Sequence, residues 1–359
     1  MTRIQECYRI APNRVWRTYP GGMTLDKMEG LPSPRDGHFP EDWLISTTRA
    51  CNAGREDFQD EGISAVMTED GARMRLTDLL AAHPDEILGA AHCRAFGASA
   101  GFLLKFLDSS MRLHMQCHPS RQFARRHLHA TCGKTEGYCI LDVRPDCEGY
   151  LYLGFQRRPA YESFRQAILR QDTAEMLSHF DRIPVRPGDV FFVPGGVPHA
   201  IGEGVLMVEF MEPTDFAVRI EFERGGYVLP ESARFMDRDV DFALSMFDFT
   251  ARGIEETRDA FFIRPRMIRQ TDQCQREMLF DERTRHCFRA ERITVRGKAE
   301  LTHEALGALI VLKGCGVLEC GDTALAMSQY DRVLLPDRTR RFRISGELEA
   351  LLAMPPKPR

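Results

Sequence analysis

The sequence has no run of about 18 apolar residues anywhere, which argues against a membrane-crossing helix. Nor does the stretch from Met1 to Trp16 hold an apolar segment of signal-peptide length, so a cytoplasmic protein is expected. Neither sign of charge is in excess: 48 Lys and Arg stand against 52 Asp and Glu, a formal net charge of −4. A field that weak gives no reason to expect nucleic acid or an anionic membrane as partner, so any anion must be bound locally. Eleven cysteines are present but scattered, with no Cys-x-x-Cys pair and no regular framework, in a chain too large to need staples. Reduced thiols are the expected state.

What is present is enough for two or three folded units: 359 residues, 43% hydrophobic and 28% charged, punctuated by 28 Gly and 20 Pro. Up to about residue 60 turns dominate, with Tyr19-Pro20-Gly21-Gly22 and Leu31-Pro32-Ser33-Pro34. Thr77 is a candidate cap for a short helix through Leu79 and Leu80, and Pro84 to Gly89 reads as a second helical turn stopped by glycine. From Phe102 to Glu212 the apolar runs shorten to strand length, interrupted by one or two helices between Tyr161 and Phe180. A charged, less patterned stretch follows Pro230, and strand texture returns after about Arg276. Gly188 to Pro194 and Tyr330 to Pro336 share a crude pattern, which predicts a mainly β protein of two barrels of one kind. The expected division is residues 1–230, a partly helical connection over 231–284, and a divergent second barrel over 285–359.

Gln116 and His118 are two apart in a strand-like run, so both side chains share a face. Glu136 opens the next run and His199 follows Pro198. Gathered inside a barrel, these residues would offer two imidazoles, a carboxylate and an amide oxygen, a donor set suited to an open, catalytic zinc site. Gln-x-His alone carries little weight in a chain with 11 histidines. His114 lies on the same face as an ambiguous extra, and Cys117 should point away and pack as a small hydrophobe.

At these positions the sequence resembles type I phosphomannose isomerases, a cupin family. Four blocks carry the resemblance in matching order: Leu104 to Asp108 leading to Gln116-Cys117-His118-Pro119; Gly133-Lys134-Thr135-Glu136; Pro187 to Pro194 leading to His199-Ala200-Ile201-Gly202; and Thr214-Asp215 with Arg219. The resemblance implies two cupin-like jelly-roll barrels with a few inserted helices, the second without metal. It also implies one zinc per chain held by Gln116, His118, Glu136 and His199, and site roles for Lys134, Asp215 and Arg219. The implied reaction interconverts mannose 6-phosphate and fructose 6-phosphate through an enediol. That chemistry asks for an acid/base group, for which Lys134 is the candidate, and for a cation at the developing oxyanion, for which Arg219 is. Two departures concern the substrate: Ser120-Arg121 stand where the family has acidic residues, and Ile220 to Gly226 differ, with Arg224 a candidate phosphate contact. They leave open an isomerase for a different sugar or sugar phosphate, or a sugar-binding cupin without turnover.

Overall fold

The structure, a computed structural model, describes residues 4 to 358 and consists mainly of strands. Seven of them form one sheet in the order Phe262–Ile263, Val190–Val193, Glu136–Val143, Val205–Met211, Leu103–Asp108, Glu41–Ile45 and Arg14–Val15. Five more form a second sheet in the order Ile183–Pro184, Tyr150–Leu153, His199–Ile201, Gln116–Cys117 and Val218–Arg219. The two sheets face each other across one apolar layer, in which Leu107, Tyr138, Ile140 and Met207 meet Leu151, Leu153 and Ile201. This is the cupin-like double layer.

Strand alternation decides where the site lies. Val208 and Phe210 turn to the outer core of the seven-stranded sheet, while Met207 points into the layer between the sheets. Along those inward faces the chemistry changes toward one end: Leu107 gives way to Lys105, Met207 to Glu209, Tyr138 to Glu136 and Ile201 to His199. An interior that is apolar along most of its length therefore becomes charged at one end.

A third, eight-stranded sheet is built around three 14-residue strands, Arg289–Thr302, Gly307–Cys320 and Arg341–Met354. Leu309, Val311, Ile344 and Leu352 line its own core, whereas Ala308, Ile310, Leu351 and Ala353 join the outer core of the seven-stranded sheet. Burial on both faces is why Ala308 to Leu312 reads as an unbroken apolar run. The hairpin Arg266–Gln270 and Cys274–Met278 pairs onto one edge of this sheet, and Tyr8–Arg9 pairs with Arg332–Leu335 at the other.

The helices Tyr161–Arg170 and Thr173–Leu177 cover the outer face of the five-stranded sheet through Phe164, Ala167, Ile168 and Met176. Helix Leu76–Ala82 starts two residues earlier than a Thr77 cap requires; Arg75 holds the cap position without a side-chain cap bond. Pro84–Leu88 ends at Gly89, whose φ of 88° favours glycine. No helix among the described residues is long and apolar enough to cross a membrane.

Candidate active site

The charged end of the sandwich gathers His118, Glu136 and His199, all buried, with ligand atoms within 4.8 Å of one another. His118 Nδ1 lies 2.7 Å from the Phe216 carbonyl and His199 Nδ1 lies 2.9 Å from the Val197 carbonyl. A carbonyl only accepts, so both Nδ1 atoms carry the proton and both Nε2 lone pairs turn inward. There they meet the Glu136 carboxylate, His118 Nε2 at 3.1 Å from Oε1 and His199 Nε2 at 3.3 Å from Oε2. Burial, with Lys134 second, pushes His118 down to about 3, so a proton does not bridge that acceptor pair near neutrality. Acceptors facing acceptors in a buried site are the donor set for a cation, and the residues fit zinc. The Gln116 amide lies 3.3 Å from His199 Nε2, because Gln116 and His199 are cross-strand partners. Lys134 Nζ stands 3.2 Å from Glu136 Oε1 and 3.3 Å from His118 Nε2.

Two glycines allow these loops to meet. A Cβ on Gly133 would lie 2.4 Å from the Pro119 carbonyl oxygen, and one on Gly195 would lie 2.5 Å from the same atom. The backbone beside Lys134 and the backbone leading to His199 thus close on the segment that follows His118. Lys134 N donates to Pro119 O at 2.9 Å and Gly196 N to His118 O at 2.8 Å, which fixes that closure.

Beside the trio lies a cleft whose wall includes Arg17, Glu41, Lys105, Glu209, Asp215 and Arg219. Arg17 donates to both Asp215 oxygens, at 2.8 and 2.9 Å, and to Glu41 at 2.9 Å. Burial would raise the Asp215 carboxyl, but Arg17 outweighs it and holds the group well below the usual range. Asp215 is therefore a fixed negative charge. Glu41 also accepts from Tyr19 and from Trp43 Nε1, and Lys105 bridges it to Glu209 with 3.1 Å on each side. Burial pushes Glu209 up to about 8 despite the pull of Lys105, with Glu136 adding to the rise. None of Arg17, Tyr19, Glu41 and Glu209 stands out in the sequence reading, and Lys105 carries no role there. The available signal was a charge on the inward face of an apolar strand, as in Leu104-Lys105-Phe106 and Val208-Glu209-Phe210.

Glu41→Ala should destabilise the protein by about 3–5 kcal/mol, the usual cost of breaking a buried pair and leaving cations behind. A fall in the urea midpoint at unchanged slope checks it, and a midpoint equal to wild type would mean the network contributes no stability. Burial would raise Glu41, yet Arg17 and Lys105 bring it from 4.5 to about 2. A depressed carboxylate stabilises fully above its unfolded value, so this contribution should drain away only as pH falls from 4.5 towards 2.

Arg219 differs from Arg17. Its register partner is Gln116, so it flanks the trio, and among the described residues its one side-chain hydrogen bond is a 3.4 Å contact with the Ala233 carbonyl. Burial lowers its pKa, the mark of a guanidinium held in the protein without a bonded carboxylate. Such a group is satisfied by an anion arriving from the cleft.

Comparison with known proteins agrees with this geometry. No protein-family model matches the chain. A probable mannose-6-phosphate isomerase of Bacillus subtilis strain 168 is 32% identical over 213 residues, 59% of this chain and 58% of that protein, so the match spans less than two thirds of that relative. The mannose-6-phosphate isomerase of Streptococcus mutans is 25% identical over 342 residues, 94% of each chain. The crystal structure of the Bacillus subtilis mannose 6-phosphate isomerase superposes with a TM-score of 0.74 at 20% identity, over 97% of this chain and 99% of that one. This chain has the phosphomannose isomerase fold. A zinc-bound mannose 6-phosphate isomerase superposes with a TM-score of 0.73 at 14% identity, over 98% of this chain and all of that one. The resemblance to type I phosphomannose isomerases thus holds in sequence and in fold.

Against that fold, the two departures seen in the sequence acquire physical reasons. Arg121 Nε donates to the buried Glu212, whose other oxygen accepts from Thr135 N at 3.0 Å, and Arg121 Nη2 reaches the His286 carbonyl at 2.7 Å. Glu221 is buried in a two-point pair with Arg112, at 2.7 and 2.6 Å, and Arg224 Nε donates to the Arg112 carbonyl at 2.9 Å. These substitutions tie loops together and do not line the cleft.

Proposed function

We propose that this chain is a zinc-dependent aldose-ketose isomerase that interconverts mannose 6-phosphate and fructose 6-phosphate. The observation that carries the reading is a buried His-Glu-His trio beside a cleft lined by Gln116, Lys134 and an arginine without a bonded carboxylate, Arg219. Gln116, His118, Glu136 and His199 are the proposed ligands of one zinc per chain. Zinc bound there would orient and polarise sugar oxygens as a Lewis acid. Arg219 presents its donors to the oxyanion that develops as the proton leaves C2, and Lys134 is the acid/base group that takes that proton and returns it to C1. The isomers so exchange without net oxidation. Asp215, paired to Arg17, acts as the fixed countercharge behind Arg219. The proposed substrate is a sugar phosphate, and the proposed place of the reaction is the cytoplasm.

A coupled assay of the purified, zinc-loaded protein tests this reading, with turnover of mannose 6-phosphate expected and its loss expected after treatment with a chelator. Turnover that survives complete zinc removal would refute the metal dependence. No turnover of mannose 6-phosphate, with turnover of another aldose phosphate from the same panel, would move the substrate and leave the chemistry.

A further inference from the structure

His114 is buried, with 2% of its surface exposed, and it lines the cleft beside Gln116 and Arg219. Its Nδ1 lies 2.9 Å from the Glu221 carbonyl, so that nitrogen carries the proton. The partner is itself immobile: the Glu221 carboxylate holds Arg112 at two points and accepts from Met115 N at 2.6 Å. The ring is therefore fixed in one tautomer and one orientation. Its other nitrogen, Nε2, is buried and has no hydrogen-bond partner. In that tautomer Nε2 is the acceptor.

A buried acceptor without a partner, on a residue of the cleft wall, selects its ligand by chemistry. Phosphate oxygens also accept, so a phosphate group gains nothing from Nε2, whereas a hydroxyl has the proton that this atom lacks. We propose that His114 is a specificity-determining residue whose Nε2 accepts a hydrogen bond from one hydroxyl of the bound sugar. The inference rests on the reading of the cleft as a sugar-phosphate site. His114 thereby adds a hydroxyl requirement at one carbon, next to the charge recognition that Arg219 supplies. Sites built to bond a hydroxyl reject the analogue lacking it strongly, because the buried acceptor is then left unpaired.

The test compares mannose 6-phosphate with its 3-deoxy and 4-deoxy analogues, in wild type and in His114→Phe, which keeps a ring and removes both nitrogens. Wild type should disfavour one analogue by on the order of 10² or more in kcat/KM. His114→Phe should lose a similar factor on the parent sugar, discriminate between parent and analogue by no more than a few-fold, and keep its zinc. His114→Gln, which restores an acceptor, should recover part of the discrimination. Calorimetric binding of mannitol 6-phosphate and its deoxy forms gives the same comparison without turnover. Absent turnover with binding that still depends on His114 would fail the isomerase reading alone. Discrimination unchanged in His114→Phe, or equal losses on every analogue, would overturn the inference about His114 alone.

Discussion

His199→Ala should be recovered with almost no metal, where wild type should carry about one zinc per chain. The variant removes one of the two inward imidazoles and leaves His118, 3.1 Å away, as the one imidazole facing Glu136. It also removes the neighbour of the Gln116 amide, since the two residues pair across adjacent strands. A site reduced to two strong donors and an amide does not complete the four-coordinate shell that zinc prefers. The strand itself should survive, because Ala200 and Ile201 stay buried on either side of the apolar layers. Far-ultraviolet circular dichroism should therefore match wild type while elemental analysis shows the ion gone. His303→Ala is the control: that imidazole belongs to the eight-stranded sheet's side of the molecule and bonds the Ala305 and Thr339 carbonyls at 2.8 Å each. Undiminished zinc in a folded His199→Ala protein would remove His199 from the ligand set, and metal loss in His303→Ala would relocate the site.

Part of the site was legible from spacing, because strand geometry is local, and the family resemblance joined Glu136 and His199 to it. Gln116 and His118 share a face by spacing alone, and the Gly133 and Gly195 segments mark the turns that bring Glu136 and His199 alongside. The paired charges around it were not legible, because their partners are remote: Arg17 and Asp215 are 198 residues apart and Arg112 and Glu221 are 109 apart. Nothing in either local sequence announces the other. Arg121 shows the opposite hazard, a change of charge beside a ligand that reads as substrate selection until the buried Glu212 is seen beneath it. The hairpin Arg266–Gln270 and Cys274–Met278 was hidden for a different reason. Its first strand is exposed throughout, so it has no buried face and no alternation to detect. His114 was visible as an extra residue on the ligand face, but only the fold shows that one nitrogen is bound and the other open.

Arg219→Ala should stay folded and zinc-loaded and lose on the order of 10² or more in turnover, as is typical when a donor to a developing oxyanion is removed. The structural cost of the change is small, because Arg219 gives up only the 3.4 Å contact with Ala233 and relieves a half-buried guanidinium of its desolvation. A rim salt bridge would behave differently: its loss would lower the melting temperature and leave turnover per folded molecule intact. Arg17 supplies the contrast within the same cleft, since its donors are spent on Asp215 and Glu41, and its removal would strand two carboxylates. The loss in Arg219→Ala should fall mainly on kcat, because the charge it meets appears only as the proton leaves carbon. Arg219→Lys keeps the charge without the planar fork and should recover only part of the rate. A folded, zinc-replete Arg219→Ala enzyme with near-normal turnover would show that the open guanidinium is not the group that meets the oxyanion, and that role would pass to the metal or to Lys134 beside the trio.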